Sequence, residues 1–402
     1  MGEGNLSMSK LAGGAFSIMA KPAGPRCNQC CEYCFYREKD FLLSEKAKNL
    51  RMSSTVLRSY IEQMISLIQD GDEVRFTWQG GEPLLCGIDF FEEAVELQQQ
   101  FKGNHSIFNA LQTNGSLITT TFARFFKRNN FLIGLSLDGP ESIHNYYRHG
   151  FGEVSTYQQA MHGLECLKKE GVEFNVLVTV NRVNQESPEE IYDFLRAQGV
   201  TYMQFIPIVE RQPLSGKQRL LEMNEKEPWK IAPWSVTPKE FGNFLWRLFR
   251  HWLERGDLGK VSIQTFEALA AYKMGYGAPV CVFSPLCGQT PILEMNGDLF
   301  CCDHYVETPW RLGNILEEPL RNLLESRKLS DFSRLKSILP QQCKSCSILN
   351  WCQGDCPKHR FSLSHKKDGV NESYLCKSYR YFYQHASPLM DQILFFGKDE
   401  IS

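Results

Sequence analysis

The sequence lacks any run of apolar residues long enough to cross a lipid bilayer, for which a helix needs about 20. It also lacks the basic start and apolar stretch of a secretory signal, because residues 1–14 are polar and rich in glycine. We therefore expect a cytoplasmic protein with no membrane partner, and we expect residues 1–14 to form a flexible tail.

The sequence has no large excess of charge of either sign. Lys and Arg together number 44 and Asp and Glu 46, which gives a formal net charge of −2 at pH 7. This balance does not indicate a nucleic-acid partner, since proteins that bind nucleic acid usually carry a basic patch. The 402 residues, 43% of them hydrophobic, suffice for one large domain and one or two smaller ones.

Cysteine, by contrast, is abundant, because the chain contains 15. Disulfides are rare in a reducing compartment, so these thiols indicate metal binding or redox chemistry. Cys27, Cys31 and Cys34 offer three thiolates from one short loop. Three thiolates can bind three irons of a cubane cluster and leave the fourth iron open to another ligand. A zinc knuckle or a few buried free thiols are the alternatives, and Cys30 lies outside the pattern.

A second set of cysteines follows residue 280. Its eight members are Cys281, Cys287, Cys302, Cys343, Cys346, Cys352, Cys356 and Cys376. Eight thiolates can ligate two four-iron clusters completely, and two structural zinc sites use the same number. Within this set Asn296-Gly297 predicts a hairpin between residues 293–294 and 299–302. A small domain of this kind is stabilised by metal more than by an apolar core.

Apolar runs alternate with helical patterns over the first half of the chain. The predicted strands are 15–20, 74–78, 107–112, 131–137, 174–180 and 202–207, and the predicted helices are 54–69, 90–101, 120–128, 156–169 and 188–197. This alternation indicates an α/β fold with a parallel sheet. Six βα units suit a partial (β/α)6 TIM-like barrel with its active site at the carboxyl ends of the strands, and an open doubly wound sheet is the alternative.

A long polar segment and further helix signals follow the last of these strands. Residues 210–235 form a loop too long for an ordinary connection, and such loops are usually lids or disordered. Thr237-Pro238-Lys239-Glu240 is a predicted capping box that opens a helix to about residue 255, and a second helix is predicted over 264–274. Ser187 before Pro188 is a further predicted N-cap. We expect the aromatic residues of the first of these helices, which ends near residue 255, to pack in the protein core.

Seven runs then stand in a recognisable order. They are Lys21-Pro22 with Cys27-Asn28 through Cys34-Phe35-Tyr36, Trp78-Gln79-Gly80-Gly81-Glu82-Pro83, Leu111-Gln112-Thr113-Asn114-Gly115, Gly134 through Pro140 with Ile143-His144-Asn145, Gln204-Phe205-Ile206, Cys302-Asp303-His304-Tyr305, and Trp310-Arg311-Leu312-Gly313-Asn314. From about Phe16 to Tyr383 the chain resembles the anaerobic sulfatase-maturating enzymes. These are radical S-adenosylmethionine (SAM) proteins with a C-terminal SPASM domain, which binds auxiliary clusters.

The resemblance implies a domain order and a set of cofactors. A partial-barrel radical SAM core would occupy residues 15–235, a helical linker 236–277, a small cysteine-rich SPASM domain 278–380, and a C-terminal helix or tail 381–402. The implied cofactors are three iron–sulfur clusters of the 4Fe-4S type together with SAM.

The resemblance also implies which residues hold each cofactor. Cys27, Cys31 and Cys34 would bind the cluster that holds SAM, and SAM would be surrounded by Tyr33, Gly81, Ser136, Arg148 and Val209. One auxiliary cluster would be held by Cys281, Cys287, Cys302 and Cys356, and the other by Cys343, Cys346, Cys352 and Cys376.

The implied activity is oxidation of a Cys or Ser residue in an unfolded or nascent sulfatase to Cα-formylglycine, with a low-potential electron donor such as flavodoxin or ferredoxin. Asp303 is the implied base, and a turn-capping carboxylate is the alternative for this residue. Two other functions stay open: formation of crosslinks in ribosomal peptides by a related SPASM enzyme, and cluster or zinc binding without catalysis.

Overall fold

The computed structural model describes residues 16–37, 39, 51–151, 155–215, 227–277, 279–361 and 370–399. The expected tail, residues 1–14, lies outside this part of the chain. The strands are β1 (Ser17–Lys21), β2 (Glu73–Trp78), β3 (Ser106–Thr113), β4 (Phe131–Ser136), β5 (Phe174–Val180), β6 (Tyr202–Pro207), β7 (Arg211–Pro213), β8 (Trp229–Ile231), β9 (Ser262–Ile263), β10 (Ile292–Glu294), β11 (Asp298–Phe300) and β12 (Arg311–Asn314).

The α-helices are α1 (Ser54–Leu67), α2 (Ile88–Phe101), α3 (Thr120–Arg128), α4 (Glu141–Tyr147), α5 (Thr156–Lys169), α6 (Pro188–Ala197), α7 (Pro238–Glu254), α8 (Gln264–Lys273), α9 (Leu320–Leu324), α10 (Arg327–Arg334), α11 (Gln341–Lys344), α12 (Leu349–Cys352) and α13 (Cys376–Asp399). All the strands and helices predicted from the sequence are present, with ends that differ by no more than two residues. Among the described residues, no helix is both long and apolar enough to cross a membrane.

The chain divides into two compact units, and the first comprises Met1–Ser136, Tyr147–Phe174 and Gly288–Ser333. Its strands lie in the order β12-β11-β10-β1-β2-β3-β4. Strands β1 to β4 run parallel to their neighbours, and β10 pairs with β1, also in parallel. The predicted hairpin is confirmed, because β10 and β11 are antiparallel and Gly297 between them has a φ of 89°. The pairing of this hairpin with β1 was not predicted from the sequence.

An aromatic cluster fills the core of the first unit between β2 and its flanking helices. Trp78 is fully buried, and the rings of Tyr60, Phe90 and Phe91 each meet it edge-on with centroids 6.0 Å away. The indole nitrogen of Trp78 donates to Asn109 Oδ1 at 2.9 Å, so the polar edge of this large side chain is also satisfied. This packing fixes the end of β2, where the Gly80-Gly81 run begins.

The second unit comprises Leu137–Tyr146, Asn175–Cys287 and Arg334–Ser402. It contains the parallel strands β5, β6 and β9 in that order. Helix α7 packs on α13, where Phe249 meets Phe382 edge-on at 6.1 Å. A Cβ on Gly242 would lie 3.1 Å from the Ser378 Cα, so the two helix backbones approach closely at this point. The expectation that the aromatic residues of α7 serve packing is confirmed.

Residues 210–235 contain more structure than the sequence predicted. Strands β7 and β8 form an antiparallel ribbon, while residues 216–226 lie outside the described part of the chain. The Arg211 guanidinium lies 5.8 Å from the Trp229 ring and 5.3 Å from the Phe361 ring, which stabilises the ribbon by cation–π contact. The ribbon is closed at its base, because the Glu210 amide donates to Ser235 Oγ at 2.9 Å.

The two predicted helix N-caps behave differently. Thr237 Oγ1 accepts from the Glu240 amide at 3.4 Å and caps α7 as predicted. The Thr237 amide, however, donates to Gln185 Oε1 at 2.8 Å, so the second half of the predicted capping box is supplied by Gln185 instead of Glu240. Ser187 precedes α6 at the N-cap position, but its side chain makes no capping hydrogen bond. Local sequence spacing cannot reveal a cap that comes from a distant residue.

This difference between the two caps can be tested by substitution. Thr237→Ala should lower stability by about 1 kcal/mol because it leaves a first-turn amide without its acceptor. Ser187→Ala, the matched control, should change stability by much less. The measurement is the thermal denaturation midpoint of each variant, monitored by circular dichroism under anaerobic conditions. Equal shifts in both variants would contradict the capping assignment.

Candidate active site

Polar side chains collect where the parallel strands of the first unit end. Lys21 is the last residue of β1, Thr113 the last of β3 and Ser136 the last of β4. Residues 79–82 follow β2 directly. Because the carboxyl ends of parallel strands meet at one edge of the sheet, this edge is the expected position of an active site.

The cysteine loop that follows β1 provides hydrogen-bond donors to sulfur. The Gln29 amide donates to Cys27 Sγ at 3.4 Å, and Asn114 Nδ2 donates to the same sulfur at 3.7 Å. Burial raises the pKa of the Cys27 thiol to about 11, and Cys34 acts in the same direction. N–H donors aimed at cysteine sulfur are a regular feature of iron–sulfur sites, so the loop fits a cluster.

Cys30 is turned to another part of the chain. Its amide donates to the His149 carbonyl at 2.7 Å, and its thiol faces the Gly150 carbonyl at 3.8 Å. Cys31 instead lies beside Gln29 Oε1, at 3.7 Å. The structure therefore directs the Cys30 thiol to Gly150, outside the cysteine loop, which agrees with a ligand pattern that omits Cys30.

The Gly80-Gly81 run packs against the chain just before the cysteine loop. The Gly81 amide donates to the Gly24 carbonyl at 2.8 Å. A Cβ on Gly81 would lie only 2.0 Å from the Arg26 carbonyl oxygen, so no other residue fits there without displacing the backbone. The packing of the protein itself thus requires glycine at this position, independently of any contact with SAM.

Glu82 joins the ends of β2 and β3 beneath the loop. It is fully buried, and its carboxyl accepts from the Thr113 hydroxyl at 2.8 Å and from the Asn114 and Leu84 amides at 2.8 and 3.0 Å. Burial raises the pKa of Glu82 to about 7, while these hydrogen bonds act in the opposite direction. Since Asn114 also donates to Cys27, Glu82 positions a donor to the cluster loop.

The structure brings together two of the residues expected to surround SAM. Arg148 is 7% exposed and its guanidinium lies 5.6 Å from the Tyr33 ring, so its charge is largely buried. Ser136 is also buried, at the end of β4. Val209 is buried in the second unit, two residues after β6. Contact of these four residues and of Gly81 with SAM stays a prediction.

A buried cluster of polar and charged side chains contacts Asp303 through Lys21. Strand pairing places Lys21 opposite Glu294, because these residues are register partners at the ends of β1 and β10. The Lys21 ammonium forms an ion pair with Asp303 Oδ1 and lies 3.4 Å from the centre of the Tyr36 ring. The Tyr36 hydroxyl donates to Glu294 at 2.5 Å. Burial raises the pKa of Glu294 to about 7, and Lys21 opposes this shift.

Sequence reasoning assigned no role to Lys21, Glu294 or Tyr36. The available signal was a charged residue at the end of each of two short apolar strands, 17–21 and 292–294. A charge in such a position is unusual in a strand that is otherwise buried. What the sequence does not reveal is that β1 and β10 are neighbours, so the two charges could not be paired from their positions alone.

Four of the C-terminal cysteines line one pocket in the second unit. Cys343, Cys346, Cys352 and Cys376 surround it together with the apolar side chains Ile348 and Leu349. Within the described ranges no three or more Cys, His, Asp or Glu side chains converge closely enough to hold a single bare metal ion. The four thiols are instead spread around a cavity with apolar walls, and this donor set fits a cluster with four cysteine ligands.

Cys281, Cys287 and Cys356 also lie in the second unit, near a buried lysine. Lys336 is 1% exposed, and its ammonium donates to the Cys281 carbonyl. Burial lowers the pKa of Lys336, while the nearby thiols of Cys287 and Cys356 act to raise it. Cys302, the fourth cysteine of this predicted set, lies in the first unit one residue before Asp303. Residues 301 and 302 follow β11, which ends at Phe300 instead of continuing to 302 as predicted.

The turn between Cys352 and Cys356 is strained and firmly held. Gln353, Gly354 and Asp355 all have positive φ, at 51°, 73° and 60°. Left-handed conformations are unfavourable for residues with a side chain, so Gln353 and Asp355 need support from the surroundings. The Arg360 guanidinium supplies it by donating to all three carbonyls, at 3.2, 2.9 and 3.1 Å. The turn fixes the spacing between two predicted cluster ligands.

Comparison with known proteins identifies two domain types in the chain. Residues 22–195 match the Radical SAM superfamily, and residues 287–347 match SPASM, an iron–sulfur cluster-binding domain. The chain is therefore a radical SAM enzyme with an auxiliary-cluster domain, and the fold class predicted from the sequence is confirmed.

Closer relatives identify the family. The chain is 40% identical over 377 residues to the serine-type anaerobic sulfatase-maturating enzyme of Bacteroides thetaiotaomicron, covering 93% of this chain and 90% of the relative. It is 33% identical over 375 residues to a cysteine-type enzyme of Clostridium perfringens, covering 92% and 96%. The chain belongs to the anaerobic sulfatase-maturating enzyme family, and the resemblance seen in the sequence is confirmed.

Solved structures support the same assignment. The structure of native anSMEcpe with bound AdoMet and the Cp18Cys peptide superimposes with a TM-score of 0.82 at 32% identity, over 94% of this chain and 98% of that one. The structure of Streptococcus suis SuiB matches with a TM-score of 0.57 at 13% identity, over 85% and 72% of the two chains, and this likeness shows the fold alone. Iron–sulfur clusters and SAM are accordingly the cofactors of this chain.

The position of Cys30 yields a test of the loop ligands. Cys30→Ala should keep the iron content of the wild type, because its thiol contacts Gly150 and is not needed as a ligand. Cys31→Ala should lose about four of about twelve irons per chain, since one of three four-iron clusters loses a ligand. Iron and sulfide analysis of anaerobically purified protein measures both. Equal iron loss in the two variants would show that the assignment of ligands is wrong.

Proposed function

We propose that this chain oxidises a Cys or Ser side chain of a sulfatase polypeptide to Cα-formylglycine under anaerobic conditions. The observation that carries the proposal is the position of Asp303. Its carboxylate is 21% exposed and is paired with a fully buried ammonium, in the same compact unit as the cysteine loop. A held and accessible carboxylate is what removal of a substrate proton requires. Membership of the family supports the same reaction.

The residues that would hold the cofactors are those that the family resemblance implies. Cys27, Cys31 and Cys34 would bind one cluster, and Tyr33, Gly81, Ser136, Arg148 and Val209 would surround SAM. The auxiliary sets would be Cys281, Cys287, Cys302 and Cys356, and Cys343, Cys346, Cys352 and Cys376. When bound, these groups supply one-electron chemistry, namely cleavage of SAM to a radical that removes hydrogen and acceptance of an electron from the substrate.

The proton that the substrate releases is accepted by a residue of the chain itself. The substrate loses a hydrogen atom from Cβ, a proton from its thiol or hydroxyl, and one electron, which together amount to a two-electron oxidation. Asp303 takes the proton. The carbon–sulfur or carbon–oxygen bond thereby becomes a double bond, and a thioaldehyde formed from Cys hydrolyses to the aldehyde. Arg148, buried against Tyr33, is suited to pair with a carboxylate such as that of SAM.

The partners follow from the reaction. The sulfatase would bind while unfolded or nascent, because its target side chain must reach a carboxylate at the end of the sheet. A low-potential donor such as flavodoxin or ferredoxin would supply the electron that SAM cleavage consumes. Cluster ligation needs reduced thiols, and the three loop cysteines and eight C-terminal cysteines proposed as ligands therefore suit the reducing cytoplasm.

A direct assay tests the function. Reconstituted protein is incubated without oxygen with SAM, a chemical reductant and two sulfatase-derived peptides that differ only in a Cys or Ser at the target position. The proposal requires an aldehyde, detected by mass and by reaction with a hydrazine, on at least one peptide. Cleavage of SAM accompanied by an internal crosslink, or by no change in either peptide, would refute it.

Asp303 provides a sharper prediction within this assay. Asp303→Asn keeps the shape of the side chain but removes the base, so aldehyde formation should fall by about a hundredfold or more. Iron content should match the wild type, because Asn leaves Cys302 in place. The readouts are aldehyde yield and iron per chain. Undiminished turnover in this variant would show that Asp303 is not the base.

A further inference from the structure

We propose that Lys21 is a positioning residue for this reaction, holding Asp303 where it can receive the substrate proton; the inference rests on the function proposed above. Lys21 lies at the end of β1, and strand pairing sets it opposite Glu294. The Lys21 ammonium contacts Asp303 from the buried side, since Lys21 is 1% exposed and Asp303 is 21% exposed. The contact is made to Oδ1, which leaves Oδ2 for the substrate.

The ammonium itself is held from two further sides. It lies 3.4 Å from the centre of the Tyr36 ring, and the hydroxyl of the same ring donates to both oxygens of Glu294, at 2.5 and 2.7 Å. Glu294 is fully buried and attracts the Lys21 charge. A long, flexible lysine side chain is therefore fixed before substrate binds, which is what a group that orients another requires.

A purely structural role is the competing explanation. A buried lysine is unfavourable unless an anion compensates it, and removing one member of a buried charge cluster leaves the others unpaired. Lys21 could thus serve only to neutralise Glu294 and Asp303. The two explanations differ in what happens when Lys21 and Glu294 are removed together, because that change restores the balance of charge but not the contact with Asp303.

The test therefore uses Lys21→Met, Lys21→Met with Glu294→Gln, and Lys21→Met with Asp303→Asn. Each holoprotein is assayed for aldehyde formed per 5′-deoxyadenosine released, for iron content and for thermal midpoint. Lys273→Met is the matched control, since it breaks a lysine–aspartate ion pair with Asp391 in the second unit, on helices α8 and α13.

We expect Lys21→Met to release 5′-deoxyadenosine while yielding about a hundredfold less aldehyde per molecule released. Adding Glu294→Gln should restore the thermal midpoint and iron content but not this ratio. On the Asp303→Asn background, Lys21→Met should have little further effect on the ratio, because Lys21 acts through Asp303. Lys273→Met should keep the wild-type ratio.

Three results would overturn the proposal: a wild-type ratio in Lys21→Met, a ratio fully restored by Glu294→Gln, or a further large loss on the Asp303→Asn background. If Lys21→Met alone fails to fold, the variant that also carries Glu294→Gln gives the deciding ratio. Failure of the wild type to form any aldehyde would refute the proposed function itself and is thereby distinguished from failure of the role of Lys21.

Discussion

The parallel pairing of β1 with β10 is the constraint on which the candidate active site depends. It joins a strand that leads into the cysteine loop to a strand nearly 275 residues later that leads, through β11, to Cys302 and Asp303. The register sets Lys21 opposite Glu294 at the edge where both strands end. Without that pairing, Asp303 would have no buried cation beside it. Asp303 and the cysteine loop thus belong to one compact unit.

Glu82 and Glu294, two buried acids at this edge, have different roles because their hydrogen-bonding and charged partners differ. Glu82 and Glu294 are both fully buried, and burial raises the pKa of each to about 7. Glu82 accepts only from neutral donors, two amides and a hydroxyl, and so acts as a fixed acceptor that holds the ends of two strands together. Glu294 faces the Lys21 ammonium, which also pairs with Asp303, so the contribution of Glu294 at this edge is electrostatic.

How much the sequence predicted depended on whether the signal was local. Strands β5 and β6 and helices α3, α5 and α6 have the predicted bounds, because alternating apolar runs and helical periods are properties of short segments. The cysteine spacing was likewise recognised from nearby residues, whereas the role of Asp303 was implied by the resemblance and stays a prediction. The pairing of β1 with β10, the Gln185 contact with Thr237 and the Arg211 contacts of the β7-β8 ribbon were missed. Each joins residues far apart in the chain, and no local pattern encodes it.

Gly81 shows why a motif and its physical cause have to be separated. Resemblance to the family implies that this residue lies beside SAM. The structure supplies an independent reason, since the Arg26 carbonyl lies where a side chain would begin, and the amides of Gly81 and Glu82 bind the Gly24 and Arg26 carbonyls. The run after β2 therefore braces the start of the cysteine loop. A residue placed beside SAM by its family can be indispensable for packing that exists before any cofactor binds.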